Sequence, residues 1–206
     1  MKRRDLLVIL FCGGLWGLSE ALLGGWMFSA KLNLAAPVVL AVIAFAILTV
    51  ARIHVPLSGS STAIATLAML FKFLNSPFFA CHLLAIFLLG AAFDLVFSLV
   101  RGRARPLAAA AATYLGFALF ALTITYVFQY RYWSGARVLL YIGRLGSIAA
   151  ACNVAMVPLS YWLGHELSNR ALAKSALRRW ALPVMSVATT AVLALAVIRG
   201  IQAAAG

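Results

Sequence analysis

The sequence predicts an all-α, polytopic integral membrane helix bundle of six or seven transmembrane helices, and three observations carry that prediction. Of the 206 residues, 65% are hydrophobic and 10% charged, whereas about a quarter of a soluble domain is charged. Mean hydropathy is +1.04, so most of the chain needs lipid or other apolar helices as its solvent. The apolar runs approach the ~20 residues that span a hydrocarbon core, and short basic or Pro- and Gly-containing connections divide them. The chain reads as a single transmembrane domain over 1–206, with no stretch suited to a separate soluble unit.

The first span is expected over about 6–25. MKRR ahead of it has the charge of a signal-peptide start, but the apolar run outlasts a signal core and no A-x-A site follows. A loop carrying Trp26, Lys31 and Asn33 leads to a second span over about 35–51, and Arg52, His54 and Pro56 occupy the next turn. A shorter third span covers about 60–73. The turn from Lys72 to Pro77 enters a long fourth span that ends near Val100. RGRARP breaks the chain, with Pro106 suited to the first turn of a helix. A fifth span follows over about 107–128, then the loop QYRYWSGAR and a sixth span over about 138–164. Beyond it, Arg170, Lys174 and Arg178 recur every four residues among Leu167, Leu172, Leu177 and Trp180. That pattern predicts an interfacial amphipathic helix over 166–180, followed by a seventh span over about 181–198.

The net charge of +13 does not imply nucleic-acid binding, because the Lys and Arg residues gather at the ends of apolar runs. Such residues favour cytoplasmic loops. The clusters MKRR, RGRAR and SALRRW then fall on one side, which places the N-terminus in the cytoplasm and the chain as a multi-pass protein of a prokaryotic inner cell membrane. Cys12, Cys81 and Cys152 match neither a zinc site nor a disulfide framework and read as small buried hydrophobes.

Glu20 is the residue that asks for an explanation, since a carboxylate within a span costs ~2.5–3.5 kcal/mol or more. It lies close in angle to Gly13 and Trp16 on a helix of 3.6 residues per turn. Gly13, Gly17, Ala21 and Gly25 form a stripe of small residues, which permits close helix approach. By depth, Lys72, His82 and Arg144 share the outer level with Glu20, near loops holding Trp26, Asn75, Tyr130, Tyr132 and Trp133. The group reads either as a ligand pocket roofed by aromatic rings or as a structural ion pair with an interfacial aromatic belt. Asp94 lies toward the inner side and is expected to pair with the RGRAR cluster or with a partner protein. No catalytic residues are assigned: a G-x-x-x-x-G-K-[ST] phosphate loop and a G-x-S-x-G elbow are both absent, so Ser58 and Ser60 beside His54 or His82 make a poor hydrolase. Three scattered histidines define no metal site, and no cofactor is called for.

The region 56–100, PLSGSSTAIATLAMLFKFLNSPFFACHLLAIFLLGAAFDLVFSLV, resembles the middle of an S-component, the substrate-capture subunit of energy-coupling factor (ECF) transporters. The shared features are a short span, a tight outer turn with Asn75, Ser76 and Pro77, and a long helix with small residues around GAAFD. The small-residue stripe of the first span is similar to the family's A-x-x-x-A signature, with glycines in place of most alanines. A seventh span departs from the family's usual six. The resemblance implies a non-enzymatic, membrane-embedded subunit for uptake of a vitamin or other small molecule. Trp16, Glu20, Trp26, Lys72, Asn75, His82, Tyr132, Trp133 and Arg144 would bind the ligand. Gly13, Gly17, Ala21 and Gly25 would contact the transmembrane coupling subunit, and separate ATPase subunits would supply energy. The metal-capturing relatives carry a histidine near the N-terminus, which MKRR lacks, so cobalt and nickel are disfavoured. Two other readings remain at this level: a self-contained proton-coupled secondary transporter using Glu20 or Asp94, and a membrane scaffold or assembly protein whose charges bind partner helices.

Overall fold

The apolar runs up to residue 164 each become a helix. The computed structural model describes residues 2–74, 80–100, 104–131 and 133–169, with Val187, Thr190, Ala191, Val192 and Ala194. Every regular element among these residues is helical, which makes the fold an all-α bundle. Helix α1 (Arg3–Ser19) runs through a π turn (Glu20–Gly24) into α2 (Gly25–Ser29), and together they form the first span. The second span is α3 (Ala36–His54), with Pro37 in its first turn. Gly59, at φ 88°, supplies the left-handed residue that starts α4 (Ser60–Leu70), and a 3-10 turn (Phe71–Leu74) completes this short third span. The fourth is α5 (Ala80–Leu99). The fifth is α6 (Arg105–Leu122), which has Pro106 in its first turn and ends in a π turn (Thr123–Val127). Helices α7 (Gly135–Leu140) and α8 (Ser147–Asn169), joined by a π turn (Tyr141–Gly146), build the sixth.

Two boundaries move from their expected places. Trp26 lies in α2 instead of a loop, because nothing between Gly25 and Ser29 stops a helix. The sixth span starts at Gly135, where extended Ser134 precedes the first turn, and continues past Gly164 to Asn169. The rest of the expected amphipathic helix lies outside the described residues, as does the seventh span apart from the five residues named above.

The six spans close into a ring. Helix α1 packs on α4, α4 on α5, α5 on α6, α6 on α8, α8 on α3, and α3 returns to α1. Without a hydrophobic force between helices in lipid, close packing depends on small residues at the seams. Ala65, Ala68, Ala108, Ala109 and Ala112 are all buried. A Cβ added at Gly90 would collide with the Ala65 side chain, and one at Gly116 would stand 2.8 Å from Leu89 Cδ1. Fully buried Phe45, Leu48, Ile64, Phe93 and Val157 fill the middle of the ring. Phe45 meets Phe93 edge-on at 5.1 Å, and Phe93 stacks on Phe97 at 4.1 Å. The outer surface is apolar as well, with Leu22, Leu99, Leu107 and Leu139 exposed. Five helices are long and apolar enough to cross a membrane, so this surface is suited to lipid, and the chain is a helical membrane protein.

Near the end of the bundle where α1 begins, the ion-pair partner of Asp94 among the described residues is Arg52 of α3, at 2.7 Å. Arg101 and Arg103 of the RGRAR cluster lie outside the described residues. Asp94 is buried toward α4, where its other oxygen accepts from the Thr62 hydroxyl at 3.1 Å and the Thr62 N–H at 3.3 Å. Arg52 also donates to Leu57 O at 2.7 Å and Ser98 Oγ at 2.8 Å. The pair thus ties α3, α4 and α5 together.

Gly90→Leu is expected to lower stability by about 1–3 kcal/mol or more through overpacking at the α4–α5 seam. Leu107→Ala on the lipid-facing surface should leave stability nearly unchanged. Thermal unfolding midpoints of the two purified variants in the same detergent check both.

Candidate functional site

Opposite the end where α1 begins, the ring opens into a cavity of about 560 Å³. The element ends explain the location: α1 finishes here, α3 starts, α4 finishes, α5 starts, α6 finishes and α7 starts. Leu89, Gly116 and Leu145 line the deep part, while Asn33, Leu34 and Arg137 line the part nearest the connections.

The wall begins with Glu20, the first residue of the α1 π turn. Trp16, wholly buried one turn earlier, donates its indole N–H to Glu20 Oε1 at 3.3 Å. Lys72, on the 3-10 turn after α4, reaches Glu20 Oε2 at 2.9 Å and donates to the Glu20 backbone carbonyl, also at 2.9 Å. Both side chains are nearly inaccessible, at 4% for Lys72 and 7% for Glu20. Each carboxylate oxygen therefore has a donor. Among the described residues the ammonium meets two acceptors, both on Glu20, and Lys72 also lines the cavity.

The glycine stripe has a different use from the expected docking surface. A Cβ at Gly13 would stand 2.8 Å from Leu67 Cβ, one at Gly17 would collide with the Phe71 ring, and one at Gly24 would stand 3.3 Å from Lys72 Nζ. Gly13 and Gly17 therefore face α4 inside the same chain. Their lack of side chains lets α1 settle onto α4 and bring Lys72 to Glu20. Ala21 and Gly25 are half-buried on and just after the π turn.

Across the cavity stands an aromatic wall. Phe117 stacks on Tyr141 at 5.1 Å, and Trp133 meets Tyr141 at 5.1 Å and Phe120 at 5.6 Å, both edge-on. His82 stacks on Phe28 at 4.9 Å beside Lys72's side of the cavity. Cys81 also lines the cavity.

Of the expected ligand residues, Glu20, Lys72, His82 and Trp133 line this cavity. Trp16 stands behind Glu20 and holds its carboxylate. Two are corrected. Trp26 is 59% exposed on α2 and does not line the cavity. Arg144 is exposed and also lies off the cavity. Trp133, Arg137, Tyr141 and Arg144 would share one face of a regular α-helix. The π turn at Tyr141–Gly146 adds one residue to the turn, so Leu145 takes the inward place and Arg144 turns out. Asn75 and Tyr132 lie outside the described residues. Sequence reasoning missed Tyr141, Arg137, Phe117 and Phe120. The four-residue spacing of Trp133, Arg137 and Tyr141 was the available signal. Among the described residues, no three His, Cys, Asp or Glu side chains gather as a metal site.

These features define a class, a polytopic helical membrane bundle with a solute-sized cavity at one end. Compared with known protein families, curated sequences and solved structures, the chain matches none significantly.

Removing one member of a buried ion pair costs about 3–5 kcal/mol, far more than replacing both. Lys72→Met should accordingly destabilise the protein by about that amount, and Glu20→Gln combined with Lys72→Met should recover much of the loss. A double-mutant cycle of unfolding free energies measures this coupling.

Proposed function

We propose that the chain is a substrate-capture subunit for small-molecule uptake across the cell membrane, binding its ligand in the cavity between Glu20, Lys72 and the Trp133–Tyr141 wall. The single observation that carries this reading is the cavity itself. Its volume of about 560 Å³ lies within the ~300–1,000 Å³ of small-molecule sites, and it has their usual make-up of apolar walls with a few placed polar groups. A structural ion pair alone needs no such void beside it.

The lining favours a flat ligand with at least one acceptor group. Rings such as Tyr141, Trp133 and Phe120 offer stacking area at little entropic cost, while Lys72 and Arg137 supply donors. Under the positive-inside orientation the cavity faces outward, as capture requires. In keeping with the resemblance to ECF S-components, this chain would bind, and a transmembrane coupling subunit with ATPase subunits would drive release to the inside. With Gly13 and Gly17 occupied by α4, such a coupling subunit would dock on another part of the bundle.

The reading is tested by gentle purification and mass spectrometry of any retained small molecule, followed by alkylation of Cys81 in a Cys152→Ser background. Bound ligand should slow Cys81 labelling, and Trp133→Ala should weaken retention by about tenfold, as loss of a stacking anchor worth about 1–1.5 kcal/mol implies. Unchanged retention in Trp133→Ala, with Cys81 labelled equally with and without ligand, overturns the assignment.

A further inference from the structure

A second cleft lies at the other end of the ring, where α3 and α5 finish, α4 and α6 start and the sixth span passes. It holds about 390 Å³ and differs in character from the first. Arg52, Arg105, Ser58, Ser98 and Tyr161 line it beside apolar Pro56, Phe97 and Val100, so it is far more polar than the first.

The two guanidinium groups are fixed in different ways. Arg52 is held by Asp94, Leu57 O and Ser98, as described above. The Cζ of Arg105 stands over the Tyr161 ring, 3.8 Å from its centroid. A guanidinium held over a ring still has N–H groups to offer an acceptor. Neither of the two ion pairs among the described residues includes Arg105. Ser58 and Ser98 hydroxyls share one bond at 3.1 Å. With the Asp94 charge matched by Arg52, the cleft keeps the positive charge of Arg105.

We propose that this cleft binds a phosphate group carried by an anionic phospholipid at the inner membrane surface. Arginine's planar fork suits phosphate oxygens, and basic pockets between transmembrane helices on the cytoplasmic side suit anionic headgroups. The lipid source is favoured by the surroundings: Leu99 and Leu107, the neighbours of the cleft on α5 and α6, are 75% and 74% exposed. They offer a path for acyl chains leading away from the headgroup. The site is separate from the outward cavity and stands whether or not a solute binds there.

The test uses the full chain in phosphatidylcholine nanodiscs with and without phosphatidylglycerol, with bound lipid read by native mass spectrometry after gentle release. Wild type should retain phosphatidylglycerol over phosphatidylcholine. Arg105→Gln should lose this preference by about tenfold or more, the scale of a hydrogen bond to a charged group. Lys31→Gln, at the opposite end, should keep it. Arg105→Lys, which retains the charge without the fork, guards against a folding failure and should fall between wild type and Arg105→Gln. Unfolding midpoints in phosphatidylcholine alone establish that each variant is folded. Competition by inorganic phosphate in an Arg105-dependent manner would keep the phosphate site and assign it a soluble source. Equal retention in wild type and folded Arg105 variants, with no effect of inorganic phosphate, overturns the proposal.

Discussion

The ion pair between Lys72 and Glu20 is the constraint around which the cavity end of the bundle is arranged. Two charges are taken out of water, and the cost is offset only when every polar atom of the carboxylate is met. The Trp16 indole meets one oxygen and the Lys72 ammonium the other. This closure requires α1 and α4 to lie close together, which is why their seam carries Gly13 and Gly17, where side chains would press on Leu67 and Phe71. The π turn starting at Glu20 and the 3-10 turn holding Lys72 are both departures from regular α geometry. They occur where the pair has to meet.

The two ends of the ring solve the same problem for different purposes. At one end Arg52 and Asp94 bind three helices together and leave a small polar cleft. At the other, the pair sits on one side of a larger, mostly apolar cavity, with aromatic rings on the other side. Between them, Phe45, Phe93 and Leu48 fill the middle, so each cavity opens to its own end. A bundle that is packed at its centre and hollow near one surface is suited to holding a solute in place. Passing it through requires a further change in the packing.

Much of the fold could be read from the sequence, because apolar runs between basic clusters have few solutions in lipid. Six apolar helical segments and the Pro106 start fell where composition placed them, apart from the longer first and sixth segments. The site was legible in part. Glu20 stood out as a charge in a span, and depth alone paired it with Lys72 and His82. Depth says nothing about rotation around a helix, however. Arg144 was misplaced because a single π residue rotates everything beyond it, and no residue pattern around YIGRLG announces that turn. Asp94 was expected to meet the RGRAR cluster or a partner protein, and Arg52, its ion-pair partner among the described residues, lies 42 residues away across the bundle. Gly13 and Gly17 of the small-residue stripe pack on α4, and a stripe does not say by itself whether an approaching helix belongs to the same chain.

Glu20 and Lys72 face each other as charges beside an open cavity, and infrared difference spectroscopy of wild type against Glu20→Gln tests this most directly. The substitution should remove an ionised-carboxylate band shifted by ammonium contact. Loss of a protonated carboxylic-acid carbonyl band in its place would show that Glu20 is neutral, and the ion pair that organises this end of the molecule would not exist.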